Sequence, residues 1–179
     1  LAGTVDARSA GVAALPAGEA KPGLLVWSNT GVLLYREGAR PVNPSGLEGL
    51  KDVVHVAVGD WDNDGAPDLC VVTASDVRLY RGGGAGGGVA FTAAGVPVPP
   101  GPYTRALWLD FDHDYDLDLF LFGPQPLLLR NQGNGTFAPH PFPFTPGGVT
   151  DAIAFRVTPD TKDTDILVAY SGREGVLYR

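Results

Sequence analysis

An all-β fold assembled from repeated antiparallel sheets is what this sequence predicts, and three observations carry the expectation. Four similar pairs of short apolar segments recur along the 179 residues, starting at Gly23, Asp68, Asp118 and Asp165, so that the starts lie 45, 50 and 47 residues apart. Each pair closes on a leucine-containing segment that ends in or near an arginine, at Arg36, Arg81, Arg130 and Arg179. Gly 25 and Pro 16 would suggest disorder in an apolar-poor chain, but a hydrophobic content of 44% can fill a core while glycine and proline serve turns. A period of about 40 to 50 residues with several strands per unit fits the four-stranded antiparallel blades of a β-propeller and is too long for a leucine-rich repeat.

The repeats run approximately over residues 10–52, 53–101, 102–149 and 150–179. In the first, GLLVWSNTGVLLYREG supplies the strand pair. The second opens with VVHVAVGD, where period-two alternation predicts that Val54, Val56 and Val58 share one face. LCVVT, DVRLYRGG and VAFTAAG follow as its remaining strands. GGGAGGG at residues 82–88 joins the last two as a flexible connector, because it lacks the GK[ST] and the following helix of a phosphate-binding loop. The third repeat carries LFLF, LLLRNQG and GTFAPHP, with Asn134 and Gly135 predicting a type I′ hairpin. Thr136 completes a glycosylation sequon there, and the turn is the favoured reading.

The fourth repeat, DILVAYSGREGVLYR, stops after its third strand, while residues 1–9 stand where an outer strand belongs. A blade cannot cover both its faces alone, so neighbours must pack face to face. Closure of four blades into a small ring by residues 1–9, a piece of a larger ring, and copies joined head to tail all fit these ends. The chain begins at Leu1 and contains no methionine, so it reads as a processed chain or an excised piece.

Chemistry is concentrated in two stretches, DWDNDGAPD at residues 60–68 and DFDHDYDLD at residues 110–118, which hold nine of the sixteen aspartates. Carboxylates at positions 1, 3 and 5 of a tight loop can turn inward together, position 7 can offer its carbonyl, and position 9 closes the cage. Such crowding calls for a cation, and Ca²⁺ accepts six to eight hard oxygens in a looser geometry than the octahedron Mg²⁺ demands. In the first loop the ligands would be Asp60, Asp62, Asp64 and Asp68, with the carbonyl of Ala66. In the second they would be Asp110, Asp112, Asp114 and Asp118, with the carbonyl of Asp116. Gly65 sits at position 6, where the turn calls for positive φ, but the second loop places Tyr115 there. An EF-hand is excluded, since Val71 and Leu121 stand where its twelfth-position glutamate belongs and short apolar runs replace its helices. Aspartate also caps its own backbone in Asx-turns, but such turns use one or two aspartates, not four or five.

The first repeat offers Leu15, Ala17, Glu19 and Gly23 at the corresponding places, and the fourth Val157, Pro159, Thr161 and Asp165. With Asp160 and Asp163 out of phase, two calcium sites are expected, not four.

The net charge of −7 is local, because the nine loop aspartates carry −9 and leave the remainder at +2. Two calcium ions would bring the total to −3. Only three of the thirteen basic residues are lysines and no basic stripe exists, which argues against nucleic acid. No segment reaches the roughly 18 apolar residues of a membrane helix. Cys70 has no second cysteine to pair with and reads as a buried small hydrophobe. His55, His113 and His140 are scattered, with His113 at an outward loop position. Trp27, Trp61 and Trp108 read as blade packing or loop cover before a sugar-stacking platform.

The succession of apolar strand, DxDxDGxxD, apolar strand and LYRNxGxGTF resembles the FG-GAP or VCBS repeats of integrin-like β-propellers, especially those of bacterial and extracellular-matrix proteins that also carry an ASPIC/UnbV segment. The resemblance is strongest over residues 53–81 and 105–137; LLLRNQGNGTF at residues 127–137 is especially close, and GAP survives as Gly65, Ala66 and Pro67. It implies Ca²⁺ in hairpin loops between the first two strands of a blade, display outside the cytoplasm, and seven blades as the commonest number. The expected function is a calcium-stabilised extracytoplasmic recognition, adhesion or scaffold module with a protein or carbohydrate ligand and no enzymatic activity. A homo-oligomer completing a larger ring fits the same reading. The alternatives are a propeller enzyme acting on polysaccharide and a repeat fragment excised or designed to study propeller assembly.

Overall fold

A computed structural model of the chain describes residues 11–16, 22–36, 38, 40–83, 89–141, 144–155 and 164–178. The described residues form fourteen strands in four antiparallel sheets. The first sheet holds β1 (Gly11–Leu15), β2 (Gly23–Ser28) and β3 (Gly31–Arg36). β4 (Val53–Gly59), β5 (Asp68–Thr73), β6 (Val77–Gly83) and β7 (Ala90–Ala93) make the second. The third holds β8 (Arg105–Leu109), β9 (Asp118–Phe122), β10 (Leu127–Asn131) and β11 (Phe137–His140). β12 (Val149–Phe155), β13 (Asp165–Tyr170) and β14 (Val176–Tyr178) make the fourth. Each sheet is an up-and-down meander, as blades built from consecutive hairpins must be. No helix occurs among the described residues, so none there is long and apolar enough to cross a membrane.

Two compact units divide the chain. One comprises Leu1–Asp60 with Asp64–Val98, and the other Pro99–Arg179 with Trp61–Asn63. In the first unit, Leu25, Trp27, Val32 and Leu34 of one sheet pack against Val53, Val56, Leu69 and Val71 of the next, with Leu47 and Leu50 of the connector sealing the seam. Each fully buried leucine contributes about 2 kcal/mol from the area it removes from water. Trp27 is buried with its indole N–H donating to the Val54 carbonyl at 3.1 Å, and His55 meets its ring edge-on at 5.6 Å.

The alternation expected along β4 holds for Val56 and Val58, which face the same core, and fails at Val54. Val53 and Val56 are buried whereas Val54 is exposed, because the pairing with β5 shifts between Val53 and His55. A bulge adds one residue to one strand and so reverses the parity of side chains beyond it. The outer strand of the first repeat is likewise reduced to a single bridge between Leu34 and Val42. Pro41 and Pro44 flank that bridge and have no N–H to extend it. Residues 1–9, expected to close the last blade, lie outside the described residues, as do residues 84–88 of the glycine-rich connector.

In the second unit Phe120, Phe122 and Leu128 meet Val149, Ile166, Val168 and Tyr170 across the two sheets, with Phe144 of the connector filling between them. β5 and β9 are buried along their whole length, which is why LCVVT and LFLF read as unbroken apolar runs instead of alternating ones. Cys70 lies within β5 and is fully buried, and desolvation pushes its thiol well above the ordinary range. The hairpin between β10 and β11 differs from the type I′ expectation. Gly133 and Gly135 carry positive φ (67° and 81°) and Asn134 does not, whereas type I′ needs two adjacent positive-φ residues. Asn134 instead accepts hydrogen bonds on Oδ1 from the N–H and hydroxyl of Thr136, at 3.1 and 2.6 Å.

Candidate metal centre

Both acidic stretches are loops between the first and second strands of a blade. Gly59 pairs with Asp68 and Leu109 with Asp118, so residues 60–67 and 110–117 bulge from the ends of two otherwise regular hairpins. The ninth-position aspartates are therefore the first residues of β5 and β9. Asp68 is fully buried, Asp118 almost so. Each accepts a hydrogen bond from the strand beyond: Asp68 Oδ1 from the Gly82 N–H at 2.7 Å, and Asp118 Oδ1 from the Asn131 N–H at 2.7 Å. Gly82 has no room for a side chain, since a Cβ there would lie 2.1 Å from the Pro67 carbonyl oxygen.

The two loops share one backbone plan. Asp60 accepts from the N–H groups of Asp64 (3.1 Å) and Gly65 (2.9 Å), and Asp110 accepts from that of Tyr115 (3.3 Å). Asp64 Oδ1 accepts from the Ala66 N–H at 2.8 Å, and Asp114 Oδ1 from the Asp116 N–H at 3.0 Å, closing an Asx-turn in each loop. Positions 4 and 6 are left-handed in both: Asn63 (φ 57°) and Gly65 (84°), His113 (63°) and Tyr115 (73°). Asparagine, histidine and glycine tolerate that region, but a bulky tyrosine is strained in it by about 1 kcal/mol. Tyr115, two-thirds exposed, thus adopts the conformation that glycine would adopt more readily. Replacing it, Tyr115→Gly, should raise stability by about 0.5 kcal/mol, the relief of strain exceeding the added freedom of the unfolded chain. A lower urea midpoint for the variant would refute this.

Three of the four expected side chains in each loop converge. Oxygens of Asp60, Asp62 and Asp68 all lie within 4.8 Å of one another, and so do those of Asp110, Asp112 and Asp118. Asp64 and Asp114 commit one oxygen to the Asx-turns. The Asp116 side chain accepts from Asn63 Nδ2 at 2.8 Å, so only its carbonyl is left to play the expected part.

The second loop fits a cation on a specific observation. Asp110 Oδ1 and Asp112 Oδ1 are buried yet receive no hydrogen bond from any described residue. A buried carboxylate oxygen with no donor is costly unless positive charge is supplied. A bound Ca²⁺ would supply hard positive charge to these oxygens, with Asp110, Asp112 and Asp118 holding it. Asp165, the corresponding acid of the fourth repeat, also opens a strand and is buried, while residues 157–163 before it lie outside the described residues.

Desolvation pushes the carboxyl of Asp118 up to about 6, against two backbone hydrogen bonds that lower it, with Asp112 and Asp114 raising it further. Between the ordinary value near 3.8 and about 6, the folded chain holds a proton that the unfolded chain has released. The stability this group contributes is therefore complete below the lower value and is lost as pH rises through about 6. Metal-stripped protein should therefore be less stable at pH 7 than at pH 4 from this source, by less than the full shift implies because solvent beside the loop screens the group. Asp118→Asn should abolish that component of the urea-midpoint profile, and an unchanged profile would refute the assignment.

Sequence reasoning missed Asn131, Asn63 and Arg130. Asn131 is buried. Its N–H donates to Asp118, its Nδ2 donates to the carbonyls of Trp61 (2.8 Å) and Leu117 (3.2 Å), and its Oδ1 accepts from the Gly133 N–H (3.1 Å). Asn63 Nδ2 also reaches the Tyr115 carbonyl at 3.4 Å. Phe137 packs on Trp61 and Trp108, with ring centroids 5.5 and 6.1 Å apart. All three tryptophans are buried, as the packing reading expected. The RNxGxGTF signature thus has a physical content: asparagine ties the strand to the acidic loop, two glycines turn the chain, and phenylalanine covers Trp61. A cleft of about 120 Å³ beside the first loop, lined by Pro16, Val58 and Pro67 among others, is smaller than an ordinary ligand pocket.

Comparison with known proteins agrees with this geometry. Residues 60–121, from the first acidic loop through β9, match the FG-GAP-like repeat family model, in line with the resemblance of the loops. No curated protein matches the chain. Among solved structures, a lectin from Agrocybe aegerita, described in terms of its specific recognition of non-reducing terminal N-acetylglucosamine, is similar at 20% identity with a TM-score of 0.57. The match covers 96% of this chain and 52% of that one, so the chain spans about half its length. The likeness is one of fold: the sheets are blades of a β-propeller.

Proposed function

We propose that this chain is a calcium-stabilised recognition module, displayed outside the cytoplasm, whose ligand is a carbohydrate. The observation that carries the metal part is the pair of buried, undonated oxygens on Asp110 and Asp112 beside Asp118. Two such loops, each at a blade hairpin, make cation binding part of the folding free energy. Extracellular calcium modules bind at about 10⁻⁴ to 10⁻³ M, which suits loops with few committed carboxylates and a location rich in the ion. The carbohydrate part is supported by the fold shared with a lectin, and by hairpin loops that a structural cation would hold rigid for contact. A glycan array run with millimolar calcium and again with chelator tests it. Calcium-dependent retention of a defined glycan without product release supports the module, and release of cleaved product would assign an enzyme instead.

A further inference from the structure

We propose that Arg130 is a built-in counter-charge of the second acidic loop that lowers its affinity for calcium; the inference rests on the calcium reading above. Arg130 lies on β10, and its guanidinium pairs through Nε with Asp112 Oδ2 and through Nη2 with Asp114 Oδ2 at 3.4 Å. The contact divides Asp112 in two. One oxygen faces the guanidinium, the other is buried without a donor, and the carboxylate as a whole is one of the three that converge with Asp110 and Asp118. Guanidinium stays charged at any physiological pH, so this positive charge is permanent. Without an ion it offsets part of the repulsion among Asp110, Asp112, Asp114 and Asp118 and keeps the loop folded. With an ion in place the same charge opposes the incoming one across a few ångströms, in surroundings between water and protein interior. For a doubly charged ion, Coulomb's law at that separation gives a weakening of about tenfold or more even at the dielectric constant of water.

The test is a calorimetric calcium titration in an Asp62→Asn background, which removes a carboxylate from the first loop so that the second dominates. Arg130→Gln should bind calcium more tightly than its parent by about tenfold or more, while its chelated form melts lower. Arg130→Lys, which keeps the charge and loses the fork, should bind within about twofold of the parent. Arg130→Met, keeping the apolar stem, serves as a second neutral variant, and a variant unfolded in chelator is measured from the loaded state by chelator competition. Unchanged or weaker affinity in both neutral variants overturns the proposal, because loss of a merely structural contact would not tighten binding. A parent that takes up no calcium at all overturns the calcium reading first, and the two failures are told apart by whether the parent gives a binding isotherm.

Discussion

Addition of about 10 mM calcium is expected to stabilise the chain by about 3 to 5 kcal/mol relative to chelated protein. Each loop gathers three carboxylates whose oxygens lie within 4.8 Å of one another, and the ninth-position acids Asp68 and Asp118 are buried at strand starts. Folding without an ion brings those charges together in poor solvent, whereas an ion bound only by the folded state adds its binding free energy to folding. With dissociation constants of about 10⁻⁴ to 10⁻³ M, that amounts to about 1.4 to 2.7 kcal/mol per site. For a chain of this size the melting temperature should rise by about 10 °C, with magnesium at equal concentration giving much less. Scanning calorimetry of wild type, Asp62→Asn and Asp112→Asn checks the result: each substitution should remove about half of the calcium-dependent rise. Identical melts in calcium and in chelator would end the calcium reading.

Asn131→Ala should cost about 3 kcal/mol or more, among the largest effects open to a single polar side chain here. The amide donates to the carbonyls of Trp61 and Leu117 and accepts from the Gly133 N–H, in a position 2% exposed. Truncation leaves the carbonyls of buried Trp61 and half-buried Leu117 without this partner, whereas the exposed Gly133 N–H can turn to water, and each orphan shielded from water costs about 1 to 3 kcal/mol. Asn131→Asp should be no milder, because a carboxylate replaces the donor facing two carbonyls and adds negative charge beside Asp118. Urea denaturation with an unchanged slope and a reduced midpoint would bear this out, and a loss below about 1 kcal/mol would mean that the neighbouring groups find other partners.

The acidic loops were legible because their chemistry is local. Aspartates at positions 1, 3, 5 and 9 announce a cage within nine residues, and strand-length apolar runs on both sides announce the hairpin that carries it. Asn131 was not legible, because its meaning depends on the Trp61 carbonyl 70 residues away. The role of Arg130 was equally hidden: its recurrence marked the repeat, but nothing in the string says that a β10 side chain reaches back to Asp112 and Asp114. Val54 shows the converse, a clear local pattern overruled by a bulge that the pairing partner imposes.

What the sequence determined by itself was the repeat, the strands and the two charged loops, since period, hydrophobic patterning and like-charge crowding act between neighbours along the chain. Tertiary structure alone decided which carboxylate oxygens converge, which are committed to Asx-turns, and which backbone groups a distant asparagine satisfies. Those outcomes depend on separations of a few ångströms between residues far apart in sequence, and hydrogen bonding and Coulomb forces change over just such distances.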